Sequence, residues 1–308
     1  MLALTASGRD GVPILRETPA PEPLPFQAVV AVAATSINRG EVRRLPGQAA
    51  GFVSGWDVAG TVAEPAADGS GPPAGTRVVG LVPYGGWAER AAVGTVMLAE
   101  LPDSVPFPTA AALPVAGLTA LRALYAAGPL LGRRVLVTGA AGGVGRFAIQ
   151  LAKLGGAHVT GVASGPARAE GLVELGADAI VERLERHGPR FDVIVESAGG
   201  ESLAAAICRV APDGAVITLG DSSGEPVTFT ASDFYRSAPG ARIVGLMVFV
   251  ELMRGASTGR DLGTLIEFVR AGRLDPQVAA VVPWTEAHDA FTRLLERRIP
   301  GKLVLEIA

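Results

Sequence analysis

Residues 134–152 read RVLVTGAAGGVGRFAIQLA, and this stretch decides the fold of the chain. An apolar, β-branched strand ends in a glycine-rich turn, and the turn opens an apolar helix. The free N–H groups and the dipole at a helix N-terminus favour an anion. Glycine is needed there because a Cβ would block either the tight turn or the approach of a phosphate. The pattern predicts that the turn holds the pyrophosphate of a dinucleotide through Ala140, Ala141, Gly142, Gly143, Val144 and Gly145.

The chain around this turn alternates between strands and helices. Apolar, strand-like runs predict strands at 134–138, 158–163, 191–195, 215–219 and 241–250. Helices are predicted between them at about 143–154, 167–175 and 201–210. Such alternation indicates a parallel sheet with helices on both faces, and strands that are apolar throughout suit a sheet buried on both sides. We therefore predict an α/β class protein with a doubly wound, nucleotide-binding domain over residues 113–254.

The segments on either side of this domain have a different pattern. Up to about residue 112, short strand-like runs alternate with proline- and glycine-rich turns, which predicts a mostly β domain. Towards the C-terminus, helices are predicted at 258–271 and 286–297, followed by a strand at 302–307. We predict that residues 1–112 and 255–308 form one β-rich domain into which the nucleotide-binding domain is inserted.

The composition argues against several classes of protein. The 308 residues are 49% hydrophobic, enough for sizeable cores, but no apolar run approaches the ~20 residues of a membrane-spanning helix. A net charge of −3 with no basic cluster gives no electrostatic support for nucleic-acid binding. A single cysteine, Cys208, rules out an intrachain disulfide. With an N-terminus unlike a signal peptide, this favours a cytoplasmic location.

Several motifs occur in a fixed order along nearly the whole chain. They are SIN at 36–38, GWDVAGTV at 55–62, GGWAE at 85–89, LPVAGLTA at 113–120, the glycine turn, LGAD at 175–178, ESAGG at 196–200 and GKLVL at 301–305. In these motifs the chain resembles the medium-chain dehydrogenase/reductase superfamily, specifically its zinc-independent quinone oxidoreductase branch. The resemblance implies a Rossmann NADP-binding domain and a β-rich, GroES-like catalytic domain. We also expect a homodimer that pairs through the apolar strand at 241–250, at the predicted edge of the sheet, as related enzymes often do. The alternative is that the chain's own helix at 258–271 covers this strand.

No metal site is predicted. Zinc requires three or four thiolate, imidazole or carboxylate ligands. The chain offers Cys208 in an apolar helical run, together with His158, His187 and His288, and none of these lies in residues 1–112, the part of the chain in which zinc-dependent relatives bind the catalytic metal. Where those relatives carry Gly-His-Glu, this chain carries Gly55-Trp56-Asp57. Catalysis is therefore expected to rest on a bound cofactor and on positioned hydrogen bonds.

The end of the second strand of the α/β domain predicts which nicotinamide cofactor binds. An NAD site usually has Asp or Glu about 20 residues past the glycines, bonded to the ribose. Here the strand ends Ala163-Ser164-Gly165, without an acid. We predict NADPH, with the 2′-phosphate bound by Ser164 and by Arg168 or Arg183, because guanidinium groups bind phosphate through a fork of donors. The alternative is that both arginines are solvated surface residues.

The resemblance also supplies candidates close to the reacting groups. Asn38 is similar to a family asparagine near the nicotinamide and the substrate, and a turn residue is the alternative. Thr119 is similar to a threonine that contacts the nicotinamide ribose. Tyr84 is either a donor to a substrate oxygen or a plain loop aromatic, and Glu196 is expected to be structural. The other cofactor-binding candidates are Ala198, Gly199, Leu246, Met247 and Val248, the last three being alternatively core residues of the dimer strand.

Together these features predict an NADPH-dependent oxidoreductase with a small-molecule substrate. Hydride would pass to a quinone or to the β-carbon of an α,β-unsaturated carbonyl compound, while a hydrogen bond holds the substrate oxygen. Two alternatives remain open at this point. One is an enoyl reductase dedicated to a single pathway, and the other is a non-catalytic NADPH-binding protein with a structural or regulatory role.

Overall fold

The computed structural model describes residues 1–8, 13–253 and 257–307, apart from the side chains of Leu252 and Met253. The chain forms two compact units, one of Met1–Leu118 with Leu252–Ala308 and one of Thr119–Glu251. The domain division expected from the sequence has its second boundary at 254/255 and ends at residue 308, and these residues lie outside the described ones. The division therefore stays a prediction. Across the described part of the chain, every helix is too short or too polar to cross a membrane.

The first unit is built mainly on antiparallel strands. Its strands are β1 (Leu2–Ala6), β2 (Pro13–Glu17), β3 (Gln27–Ile37), β4 (Asp57–Glu64), β5 (Arg77–Leu81), β6 (Arg90–Gly94), β7 (Leu98–Glu100), β14 (Val278–Pro283) and β15 (Lys302–Glu306). Its helices are α1 (Arg39–Arg44), α2 (Phe107–Ala111), the start of α3 (Pro114–Ala127), α9 (Thr258–Arg270) and α10 (Ala287–Leu295). The larger sheet has the order β14-β15-β3-β4-β5-β7, with β6 also paired to β3, and β1 pairs with β2 in a second sheet. The β-rich unit expected from the sequence is confirmed.

The register of β3 brings polar side chains together at the end of this sheet. In the antiparallel ladder with β4, Ala34 lies opposite Ala59. In the ladder with β15, Leu303 lies opposite Ile37. Each ladder therefore aligns the C-terminal end of β3 with the first residue of a neighbouring strand, Asp57 in one case and Lys302 in the other.

The second unit is a parallel sheet with helices. Its strands are β8 (Arg134–Val137), β9 (His158–Val162), β10 (Ala179–Val181), β11 (Phe191–Glu196), β12 (Val210–Thr218) and β13 (Arg242–Gly245). Its helices are the rest of α3, α4 (Gly143–Leu154), α5 (Pro166–Ala169), α6 (Gly200–Arg209), α7 (Ala231–Tyr235) and the start of α8 (Val248–Met253). The order β10-β9-β8-β11-β12-β13, parallel throughout, is that of a doubly wound Rossmann sheet. The predicted fold class is confirmed, and the predicted bounds of α4 and α6 hold to within one residue.

The strand predicted at 241–250 is wrong in its second half. Strand β13 ends at Gly245, and α8 begins within the predicted range. The N–H groups of Val250 and Glu251 both donate to the carbonyl of Met247, which closes a helical turn. The sequence misled us because periodicity does not separate a strand from a buried helix in a continuous apolar run.

The helix predicted at 167–175 is also too long. Only the short α5 is helical, and Gly171 has a φ of +76°, which a right-handed helix does not contain. The segment after α5 continues as turns up to β10. Its glycines and small residues give it too little apolar periodicity to extend the helix.

Candidate active site

A glycine-rich turn joins β8 to α4 at the carboxyl edge of the parallel sheet. Gly139 has a φ of +58°. A Cβ on Gly145 would lie 2.4 Å from the carbonyl oxygen of Gly139 and 2.7 Å from the Cα of Ala140, so only glycine lets the helix start this close to the turn. The predicted cofactor residues 140–145 all lie in this turn or in the first turn of α4, whose leading N–H groups have no intrahelical acceptor. This arrangement fits an anion such as a pyrophosphate.

The buried Glu196 braces the neighbouring turn between β11 and α6. Its Oε1 accepts hydrogen bonds from the Thr138 hydroxyl (3.1 Å), the Ala198 N–H (3.0 Å) and the Ser202 hydroxyl (3.0 Å), and its Oε2 accepts one from the Gly199 N–H (3.1 Å). The side chain is fully buried. The predicted residues Ala198 and Gly199 therefore take their places from a carboxylate, in agreement with a structural role for Glu196.

A second buried charge fastens the glycine turn to the loop that follows β9. The Nε of Arg146 donates to the carbonyl of Ala141 (3.2 Å), and its Nη2 donates to the carbonyl of Glu170 (2.9 Å). The side chain is buried within α4. Sequence reasoning assigned no role to Arg146, although an arginine inside the apolar run of this helix was a visible signal that it is satisfied within the protein.

The predicted 2′-phosphate residues lie in two different places. The Ser164 side chain is exposed just after β9, and Arg168 follows it in α5. Arg183 lies beyond β10, where it forms an ion pair with Glu185, and 81% of its side chain is exposed. Arg168 therefore lies four residues after Ser164, whereas Arg183 belongs to a surface ion pair.

The remaining cofactor candidates of this unit lie in α3 and after β13. Thr119 is buried in α3. The Leu246 N–H donates to the carbonyl of Thr218 (2.8 Å), which holds Leu246 at the end of β12, on the carboxyl edge of the sheet. Leu246 and Val248 are buried, whereas the Met247 side chain is 54% exposed.

In the first unit, Asn38 belongs to a buried polar cluster. Its Nδ2 donates to Oδ2 of Asp57 (2.7 Å), and its Oδ1 accepts from Nζ of Lys302 (2.7 Å). Asp57 also accepts from the Ser36 hydroxyl and, through Oδ1, from the Val115 N–H (2.8 Å). The side chains of Lys302 and Asp57 are buried, and their Nζ–Oδ2 distance is 3.4 Å. The strand registers described above produce this cluster.

Glu41 fixes the backbone of Asn38. Its Oε2 accepts the N–H of Asn38 (2.6 Å) at the start of α1, as the N3 residue of a capping box does. Its Oε1 is buried without a hydrogen-bond partner among the described residues. Burial, together with the nearby Asp57 carboxylate, raises the pKa of the Glu41 carboxyl well above its usual range. The fold therefore disfavours the charged form of Glu41 relative to the unfolded chain.

Tyr84 lies on an exposed loop after β5. Its side chain is 62% exposed, and its ring packs against Phe52 with the ring centroids 5.9 Å apart. Both interpretations of Tyr84 therefore stay open.

Comparisons with known proteins identify the family. Residues 175–305 match the family described as zinc-binding dehydrogenase. The chain is 30% identical over 302 residues to 2-methylene-furan-3-one reductase of Solanum lycopersicum, covering 91% of this chain and 71% of that protein. It is 28% identical to a chloroplast envelope quinone oxidoreductase homolog of Arabidopsis thaliana, over 94% of this chain and 92% of that protein. The structure of the quinone oxidoreductase from Thermus thermophilus, also solved with NADPH, superposes with a TM-score of 0.84, with 30% identity and full coverage of both chains.

The chain belongs to the medium-chain dehydrogenase/reductase superfamily, in its quinone-oxidoreductase-like branch. The predicted family and fold are thus confirmed. The description zinc-binding dehydrogenase raises the question of a metal. No group of three or more His, Cys, Asp or Glu side chains converges within residues 1–8, 13–253 and 257–307. Next to Asp57 the cluster places the ammonium of Lys302, and Asn38 is not a zinc-type ligand.

The sequence analysis identified one residue of the polar cluster, Asn38, and missed the residues that contact it. It gave Asn38 a site role but gave none to Asp57, Lys302 or Glu41, although it used the motifs that contain the first two. Lys302 is separated from Asn38 by 264 positions, and only the β3–β15 register brings them together.

Proposed function

We propose that this protein is an NADPH-dependent oxidoreductase that reduces a quinone or the C=C bond of an α,β-unsaturated carbonyl compound. The observation that carries the proposal is the glycine turn on a Rossmann sheet whose second strand, β9, is followed by the exposed hydroxyl of Ser164 rather than by a carboxylate. Its relatives include quinone oxidoreductases and a 2-methylene-furan-3-one reductase, and the Thermus thermophilus enzyme was solved with NADPH. These support both the cofactor and the substrate class.

The second unit carries the residues for the cofactor. Residues 140–145 hold the pyrophosphate, Ser164 and Arg168 hold the 2′-phosphate, and Thr119 contacts the nicotinamide ribose. The turn braced by Glu196 and the segment 246–248 border the same carboxyl edge of the sheet, where doubly wound sheets bind their ligands. When bound, the nicotinamide supplies the hydride.

The first unit carries a donor for the substrate oxygen. The Asn38 amide has two N–H bonds, of which Asp57 accepts one. The other donates to the oxygen of the quinone or enone, on which negative charge develops as the carbon accepts hydride. Solvent then delivers the proton to that oxygen or to the neighbouring carbon. Tyr84 is the second candidate donor.

Two further properties belong to the proposal. Activity is independent of zinc, because the donor set of the described residues does not suit it. The chain forms a homodimer through β13, which lies at the edge of its sheet with Ile243 41% exposed. An apolar edge strand is a liability unless it is paired. Light scattering that gives the 31.4 kDa mass of one chain at micromolar concentration would exclude the dimer.

Loss of NADPH absorbance with a panel of quinones and enones tests the function. We expect turnover with NADPH, activity that survives exhaustive chelation, and at least about tenfold weaker binding of NADH, since one charge-assisted phosphate contact is worth about 1.5–3 kcal/mol. Asn38→Ala should lower kcat/KM by about one to three orders of magnitude with unchanged NADPH affinity. Tyr84→Phe tests the second donor.

Three results would contradict the proposal in different ways. NADPH binding without turnover across the panel would leave a non-catalytic binding protein. Equal affinities for NADH and NADPH would remove the role of Ser164 and Arg168. Wild-type activity of Asn38→Ala with a lowered melting temperature would leave Asn38 as a turn residue.

A further inference from the structure

The Asn38 amide lies between two groups of opposite hydrogen-bonding character. Its nitrogen faces the Asp57 carboxylate and its oxygen faces the Lys302 ammonium, each at 2.7 Å. An ammonium only donates and an ionised carboxylate only accepts. A half-turn of the amide would therefore set NH₂ against the ammonium and oxygen against the carboxylate, so that both hydrogen bonds would become repulsive contacts. The two charged groups thus hold the amide in one orientation.

In this orientation the second N–H of the amide is a donor on a half-buried side chain, and the Glu41 carboxyl is the other acceptor that the described residues offer it. On the basis of the proposed function, we propose that Lys302 and Asp57 are positioning residues, which fix the Asn38 amide so that its second N–H, and not its oxygen, meets the substrate oxygen. Neither charged side chain needs to touch the substrate, because both act through Asn38.

The two positioning residues are themselves held in place. The Val115 N–H and the Ser36 hydroxyl both donate to Asp57, and Lys302 begins β15, whose register with β3 is fixed over four residue pairs. The side chains of Lys302 and Asp57 are only 3% and 0% exposed. A buried ion pair is a poor source of stability, since desolvation offsets much of its attraction. The contacts of this ion pair with Asn38 instead agree with a role in orienting the Asn38 amide.

The side chains in this contact are rare in the chain. Asn38 is the only asparagine among the 308 residues of the sequence. Lys302 is one of two lysines, whereas the sequence contains 25 arginines. The lysine ammonium is a compact point charge with three donors, whereas the planar guanidinium of arginine would need a wider space. The single asparagine also makes the amide observable, because selective ¹⁵N-asparagine labelling gives one side-chain NH₂ pair in an NMR spectrum.

The first part of the test removes the ammonium. Lys302→Met should lower kcat about tenfold or more while leaving the Kd for NADPH unchanged, because a misoriented donor costs up to about 100-fold. The matched control is Lys153→Met, which removes the other lysine from an exposed ion pair with Asp178 (2.5 Å) and should keep the wild-type kcat/KM. Labelled wild-type protein should show one amide proton shifted downfield by its carboxylate acceptor, and Lys302→Met should change that pair.

The second part allows for the case that Lys302→Met leaves an unpaired buried carboxylate and does not fold. The double variant D57N/K302M removes both charges and should melt near the wild-type temperature. The amide introduced at position 57 keeps its oxygen on the Val115 N–H, so its NH₂ faces Asn38 and accepts no hydrogen bond. Asn38 should then turn its oxygen towards position 57. We expect turnover as low as that of Lys302→Met in a protein of restored stability, with two labelled amide pairs, since position 57 then adds a second asparagine.

The third part separates positioning from a merely structural role. In the N38A background, Lys302→Met should still lower the melting temperature but should leave kcat/KM unchanged. An equal loss of kcat/KM with and without Asn38 would overturn the proposal, and so would wild-type turnover by D57N/K302M. Failure of the proposed function is a separate result, namely wild-type protein that oxidises no NADPH with any quinone or enone.

Discussion

Replacing Glu196 with glutamine removes the charge that braces the turn beside the glycine loop. The glutamine oxygen can take the place of Oε1 and keep the donors from Thr138, Ala198 and Ser202. Its NH₂ must then face the Gly199 N–H, which in the wild type donates to Oε2 at 3.1 Å and keeps only its longer contact with Oε1, at 3.3 Å. One charge-assisted hydrogen bond, worth about 1.5–3 kcal/mol, becomes a contact between two donors. The three others weaken because their acceptor becomes neutral, and relief of carboxylate desolvation offsets part of the loss.

We expect a net destabilisation of about 2 kcal/mol, a large share of the roughly 5–15 kcal/mol that stabilises a folded protein. Urea unfolding of the cofactor-free protein measures it, with an expected shift of the midpoint of about 0.5–1 M. The affinity for NADPH should fall with it, because Ala198 and Gly199 take their positions from this carboxylate. Glu201→Gln is the control, since it breaks only the exposed pair with Arg186 and should leave the midpoint of urea unfolding nearly unchanged. Unchanged stability with a lost kcat would refute the reasoning and make Glu196 an acid or base.

Three other variants test the site. Burial and Asp57 raise the pKa of Glu41, so the folded protein keeps a proton that the unfolded chain releases above about pH 4.3. The free energy of unfolding of the wild type should therefore fall with rising pH, by up to about 1.4 kcal/mol per pH unit, until the raised pKa is reached. Glu41→Gln keeps an acceptor for the backbone and should flatten that slope in urea midpoints; an unchanged slope would assign it to other groups. Gly145→Ala sets a Cβ 2.4 Å from a carbonyl oxygen and should weaken NADPH binding at least about tenfold, whereas Gly263→Ala, with open space around it, should not. Thr119→Ala should raise the Kd for NADPH about fivefold, the value of one neutral hydrogen bond, and equal affinity in a fluorescence titration would contradict that contact.

Local sequence patterns were sufficient to predict the Rossmann unit. The strand before the glycine turn and the helix after it have the periods of their structures, and α4 was predicted with its observed bounds. Where two structures share one pattern, the prediction failed. The apolar run 241–250 satisfies a buried strand and a buried helix equally, and only the hydrogen bonds to the Met247 carbonyl show that α8 begins there.

The environment of Asn38 was not predictable in the same way. Its motif singled out the residue, but its partners come from β4 and β15, and the chain between contains a whole Rossmann unit. No local pattern predicts that the first residues of β4 and β15 lie beside the end of β3. For Arg183 the sequence predicted the place in the fold, next to β10, but not the partner of the side chain. Its ion pair with Glu185 depends on side-chain conformation, which a sequence pattern does not contain.

The charged groups around Asn38 explain why both its backbone N–H and its side-chain amide are fixed. One ammonium and two carboxyl groups lie close together in a buried region, and burial and Asp57 raise the pKa of Glu41, which disfavours a second negative charge beside Asp57. The Glu41 carboxyl accepts the backbone N–H of Asn38, while the Asp57–Lys302 pair contacts both ends of its amide. Backbone and side chain are thus fixed by different groups before any ligand binds. A donor fixed in advance stabilises developing charge without the cost of reorganisation, which is the property a reductase needs at the substrate oxygen.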